Sequence, residues 1–132
     1  MPQDGLITLS SRYPASDTIE RLLAALAKHS MTVFARIDHA AGAASAGLSL
    51  RPTEVVLFGN PKGGTALMQD RQSAGIDLPL KALVWEDADG KIWLSYNDPA
   101  WIAQRHGLGA ASAGAVEAMA KALGAIAAEV TA

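Results

Sequence analysis

The chain contains no cysteine, which rules out disulfides, thiolate nucleophiles and cysteine-ligated zinc or iron–sulfur sites. It has no surplus of positive charge either. Lys and Arg number 11 against 13 Asp and Glu, a formal net charge of −2, and the basic residues are scattered. Nonspecific nucleic-acid binding needs a basic face or stripe, so nucleic acid is not an expected partner. Aromatic residues are sparse at 5%. No uncharged apolar run is long enough to span a membrane. The nearest approach, Gly107–Val130, is rich in Ala and Gly and carries Glu117, Lys121 and Glu129, which suits a soluble helix. The opening MPQDGLITLSSRYPASD lacks the basic start and apolar run of a secretory leader. The expectation is a cytoplasmic protein with no membrane partner.

Half of the residues are hydrophobic and 18% are charged, the balance of a globular chain. At 132 residues it is expected to form a single domain, 1–132, large enough for a real core.

Periodicity divides the chain into elements. GLITLSS (Gly5–Ser11) alternates as a first strand. In YPASDTIERLLAALAKHS, Ile19, Leu22, Leu23 and Leu26 form one helical stripe. Ser16 or Asp17 is the expected cap, and Asp17 with Glu20 has capping-box spacing. MTVFARIDHA reads as a second strand with Val33, Ala35, Ile37 and His39 on one face. AAGAASAGLSL fits either a loop or a short Ala-rich helix. TEVVLFG is strand-like, bounded by Pro52 and Gly59-Asn60-Pro61, and a short helix near Thr65–Gln72 follows.

LKALVWED and IWLSYN flank Asp89-Gly90, a strong hairpin signal. A two-residue turn pairs Trp85 with Leu94 and puts Leu83, Trp85, Ile92, Leu94 and Tyr96 on the core face. A three-residue turn sets Trp85 opposite Trp93 instead, because a one-residue slip exchanges the faces. The two-residue register is the preferred expectation. Asp98-Pro99 then opens a short helix that Gly107 stops, and Ser112–Val130 forms the last helix. The order β-α-β-β-(short α)-β-β-α-α favours an α+β fold, an antiparallel sheet packed on one side by helices.

The stretch FGNPKGGTALMQD (Phe58–Asp70) is the main candidate for a site. Gly59 and Gly64 have the spacing of a phosphate-binding loop, but Thr65 follows directly where that pattern needs lysine, and Lys62 lies inside the loop. A nucleotide-hydrolysing loop is therefore not expected. Two readings remain: an anion site made by Lys62 and a helix terminus capped by Thr65, or a structural corner.

Elsewhere, His39 ends the second strand, where a buried imidazole can act as base or ligand or simply be hydrogen-bonded. His29 and His106 sit near helix C-termini, where positive charge suits the dipole. Glu54 and Glu86 interrupt apolar strands and are candidate acids. No histidine pair, H-E-x-x-H or calcium-loop spacing is present, so no metal site is expected, and no G-x-S-x-G signals a serine nucleophile.

The ordered segments ARIDHAAGAASAGLSLRPTEVVLFG, FGNPKGGTALMQ and GIDLPLKALVWEDADGKIWLSYNDPAWIAQRHGL resemble domain-of-unknown-function family 302, over about residues 5–130. The resemblance implies a TBP-like fold, a curved antiparallel sheet with helices packed on it. Matching positions are His39, Glu54, Phe58, Gly59, Asn60, Pro61, Thr65, Glu86, Tyr96, Asn97 and Pro99, and no chemical role attaches to any of them.

The leading functional expectation is a small-ligand-binding domain for an anionic or amphipathic molecule. His39, Glu54, Asn60 and Lys62 would form its polar end, with Thr65 and Glu86 nearby and Trp85 and Tyr96 as its apolar wall. One alternative is a homodimeric interaction module using the small-residue face of the last helix, Ala118, Ala122 and Ala125. A second is a hydrolase pairing His39 with Glu54 or Glu86. No cofactor is assigned by these residues.

Overall fold

The computed structural model describes residues 4–132; residues 1–3, the start of the segment read as lacking a leader, lie outside the described residues. Five strands form one antiparallel sheet: β1 (Leu6–Ser11), β2 (Thr32–Asp38), β3 (Thr53–Gly59), β4 (Leu80–Glu86) and β5 (Ile92–Asn97), in the order β1-β5-β4-β3-β2. The helices are α1 (Ala15–Lys28), α2 (His39–Ser45), α3 (Pro61–Asp70), α4 (Pro99–His106) and α5 (Ala110–Thr131), with a 3-10 turn at Gln72–Asp77. The α+β, one-sheet architecture is therefore as expected.

The core lies between one face of the sheet and α1, α3 and α5. Ile19, Leu22 and Leu26 of α1 meet Met119, Leu123, Ile126 and Val130 of α5 over Val56, Phe58, Leu80, Ala82, Val84, Leu94 and Tyr96. Each large side chain buried there contributes roughly 1.5–3 kcal/mol through apolar transfer. Alternation sends the neighbouring residues Val55, Leu57, Leu83, Trp85 and Trp93 to the other face, where they stay partly exposed and outside the core cluster.

Local chemistry decides four features differently from the sequence pattern. Helix α1 starts at Ala15 after Pro14, with no side-chain cap from Ser16 or Asp17. The Thr18 hydroxyl instead donates to the Pro14 carbonyl at 3.0 Å and meets Ser11 Oγ at 2.7 Å. The β4–β5 hairpin takes the three-residue loop. Asp87 Oδ1 accepts the N–H groups of Asp89 (2.9 Å) and Lys91 (3.0 Å), and Gly90 supplies a φ of 79°. Trp85 thus pairs with Trp93, and Ala82 and Val84 take the core positions expected for Leu83 and Trp85.

Strand β2 contains a bulge between Val33 and Ala35. It ends at Asp38, whose carboxylate caps α2 by accepting the Ala41 N–H at 2.9 Å. His39 is consequently an exposed first-turn helix residue rather than a strand residue on an apolar face. The Ala-rich stretch resolves into α2. Finally, α3 begins at Pro61, capped by Asn60, four residues before the expected terminus at Thr65. Gly63 and Gly64 are therefore helical, not part of a corner. A Cβ at Gly63 would stand 2.9 Å from Met119 Cε, so this glycine lets α3 approach α5 closely.

Candidate functional site

The segment Gly59–Thr65 does form part of a cavity, of about 390 Å³, at the end of the sheet where β3 leaves and β4 enters. Its wall comes from Gly59, Asn60, Pro61, Gly64, Thr65 and Met68 on one side. Gly75, Leu78, Pro79 and Leu80 close the other, with Met119 of α5 behind and Phe34 of β2 at the rim. The size falls in the range of small-molecule sites, which are mostly apolar with few polar groups. Here the side-chain polar groups are those of Asn60 and Thr65.

Phe34 is the residue that the β2 bulge displaces from the ladder, and it is 53% exposed. A Cβ at Gly59 would stand 3.5 Å from Phe34 Cε2, so the ring lies over that glycine. Bulges commonly re-aim one side chain beside a site, and this one delivers an aromatic ring to the rim. Met68 and Met119 add flexible, polarizable walls that can adapt to a ligand's shape.

The start of α3 offers little to an anion. Pro61 has no N–H, Asn60 Oδ1 accepts the Lys62 N–H at 3.0 Å, and Gly64 N–H donates to the Asn60 carbonyl at 3.1 Å. Among the described residues, Gly63 alone in that turn keeps an unbonded N–H. Lys62 is exposed and does not line the cavity.

The other expected site residues lie elsewhere, so the anticipated convergence does not occur. Glu54 and Glu86 come together in a separate groove of about 460 Å³ at the opposite end of β3, with Glu20, Arg36 and Asp38. Arg36 Nε donates to Glu54 Oε2 at 2.7 Å, and that bond, then the charge of Glu54, pushes the guanidinium pKa up. Trp85 lies on the face away from the helices, stacked on Trp93 with centroids 6.2 Å apart. Tyr96 is in the core, where burial, then the charge of Asp98, pushes its phenol up. His39 lines neither cavity. The strand alternation and the helix start separate these side chains, although they are near one another in the motif order.

One further polar cluster has no signature in the sequence. Ser73 Oγ lies 3.0 Å from His106 Nδ1, while His106 Nε2 meets Asp77, which also receives Arg105 Nη1 at 3.0 Å. Residue types and distances resemble a Ser-His-Asp relay, but Ser73 lines neither cavity. The cluster ties the 3-10 turn to α4 and so braces the Gly75–Leu80 wall. A spacing of 29 residues between Asp77 and His106 gives no local pattern from which to find it.

Comparison with known proteins adds the family. The chain matches the profile of the domain of unknown function DUF302 over residues 7–126. A solved structure of an uncharacterized conserved DUF302 protein from Bacillus stearothermophilus superposes with a TM-score of 0.85. It covers 96% of this chain and 98% of that one at 19% identity, a likeness of fold. The chain is also 56% identical over 115 residues, 87% of its length, to the proteins named fluoride-specific ion channel FluC 1 of Brucella suis and of Brucella abortus. That match spans 45% and 43% of those proteins, so this chain covers less than half the length of these curated relatives. The chain belongs to the DUF302 family.

Proposed function

We propose that this DUF302 domain binds a small, uncharged or amphipathic molecule in the cavity beneath α3, without catalysis. The observation that carries the reading is a cavity of about 390 Å³ whose wall is almost wholly apolar and is built around the Gly59–Thr65 motif. Asn60 and Thr65 would orient the polar end of the ligand, while Phe34, Met68 and Met119 would enclose its apolar body. A reaction is disfavoured because His39 and the carboxylates offered as its partners do not share a cavity.

Native mass spectrometry of freshly purified protein tests this, before and after incubation with a neutral aromatic compound. The expected result is a noncovalent adduct that denaturation removes and that Phe34→Ala weakens. A clean mass under both conditions would contradict the proposal.

A second reading follows from the channel relatives. Their matched segment is under half of each protein, so in them a domain like this one accompanies a separate portion. We read this chain as a cytoplasmic, ligand-responsive accessory to a membrane transport protein rather than as a pore. Helix α5 is long and apolar enough for a span and only 28% of that stretch is buried, but Met119, Leu123, Ile126 and Val130 along one side of it pack on the core. Recovery of the chain in detergent-free lysate supernatant supports this reading, and recovery only from detergent-extracted membranes opposes it.

A further inference from the structure

The helix-free face of the sheet plays no part in the ligand cavity. Ile37, Val55 and Leu83 face one another in register across β2, β3 and β4, with Leu57 beside them and the Trp85–Trp93 pair at one end. Ile37 is 46% exposed. Both indole N–H groups are satisfied within the chain: Trp85 donates to Ser95 Oγ at 3.0 Å and Trp93 to Asp87 Oδ2 at 2.9 Å. The rings therefore present apolar surface that needs no polar partner. Of the strand side chains alternating onto this face, Lys81 alone is charged, and its ammonium is turned back to the carbonyls of Asp77 and Pro79 at 3.2 Å each.

We propose that this face docks a second copy of the chain, sheet against sheet about a twofold axis. A surface whose one charged side chain lies at the start of β4 and turns toward carbonyls of its own chain can meet its own image with few like charges opposed, as an isologous interface requires. Its size suits that role. Strands of 6 or 7 residues, at about 3.3 Å per residue, run roughly 20–23 Å, and five strands, each about 4.8 Å wide, cover roughly 24 Å. The flat footprint is thus about 520 Å² per copy and roughly 1,050 Å² for both, at the ~1,000 Å² that a biological interface clears and in the range of weak, reversible dimers. Stacked sheets lie about 10 Å apart at roughly 30°, a spacing at which the paired Trp rings and Leu83 of each copy interdigitate with the other. An anionic membrane surface is a poorer fit, because it selects for Lys and Arg around an apolar face.

Sedimentation equilibrium of the full chain at roughly 100 µM, a hundredfold above a micromolar Kd, provides the test. Wild type is expected to sediment at twice the 13.7 kDa chain mass. Leu83→Lys and the more exposed Ile37→Lys are each expected to weaken the dimer at least about 100-fold, with a wild-type far-ultraviolet circular dichroism spectrum. Ala125→Glu, on the outer side of α5, is expected to leave it intact. A monomeric wild type would overturn the proposal. So would a dimer that survives both Lys substitutions in folded protein, or one that only Ala125→Glu disrupts.

Discussion

The two ends of β3 carry cavities of similar size, one almost wholly apolar and one lined by several charged side chains. At its exit, Gly59–Thr65 helps to wall an apolar cavity with one aromatic ring and two methionines. At its entry, Glu54 lies in a groove with Glu20, Asp38 and Glu86 around Arg36. The glycine-rich stretch that looked suited to charge thus belongs to the apolar end, and the charged side chains gather about a strand's length away. A helix terminus attracts anions only through N–H groups that are still free, and at α3 the proline and the asparagine cap leave one.

Filling one end while sparing the other is the strongest way to sharpen this contrast. A Cβ at Gly64 has ordinary room, with Leu78 Cδ1 at 4.0 Å. Gly64→Leu should therefore direct a side chain into the cavity and weaken a neutral ligand at least tenfold, about 1.4 kcal/mol. Because leucine is favoured over glycine inside a helix by up to about 1 kcal/mol, the urea midpoint should hold or rise. Fluorescence titration and urea unfolding of the same preparation would check both parts.

Acid offers a second, smaller separation. Asp70, the last residue of α3, accepts the Ser112 hydroxyl at 2.7 Å and the Gly109 N–H at 2.9 Å, and so caps α5 from outside. The Ser112 bond, then the Gly109 bond, holds its carboxyl below the usual carboxylate range. A carboxyl lowered in the folded state stabilises the fold above its unfolded pKa of about 3.9, and that contribution disappears as pH falls through the folded value. Stability and ligand affinity at the α3 end should therefore both decline below about pH 3.9. Asp70→Asn should flatten that part of the stability–pH curve, as urea midpoints across the acid range would show.

The smallest effect belongs to the charged end. Arg36 and Glu54 form a partly exposed ion pair, and such pairs contribute at most about 1 kcal/mol. Glu54→Gln should shift the urea midpoint slightly and leave ligand affinity at the other end unchanged. A coupled loss of affinity would show that the two cavities do not act separately.

Much of the fold was legible because apolar periodicity marks each strand and the long helices directly. What escaped depends on single side chains acting locally. Asp87, by gathering the N–H groups of its own turn, selects the three-residue loop and so sends Leu83 and Trp85 to the helix-free face. The bulge that brings Phe34 to the cavity has no signature within TVFARID, where alternation continues undisturbed. In the candidate site, Asn60 and Thr65 do line the cavity, whereas Met119, Phe34 and the Leu78–Leu80 wall reach it from distant segments. Such convergence exists only after the sheet order and the α3–α5 contact are set.

An α3 cavity with an apolar wall should take neutral ligands in preference to anionic ones. Parallel fluorescence titrations with a neutral naphthylamine dye and its sulfonated analogue, on wild type and Lys62→Ala, test it most directly. The neutral dye should bind at least as tightly as the sulfonate, and Lys62→Ala should change neither affinity by more than about twofold. Binding of the sulfonate alone, lost in Lys62→Ala, would contradict it and restore an anion site at the start of α3.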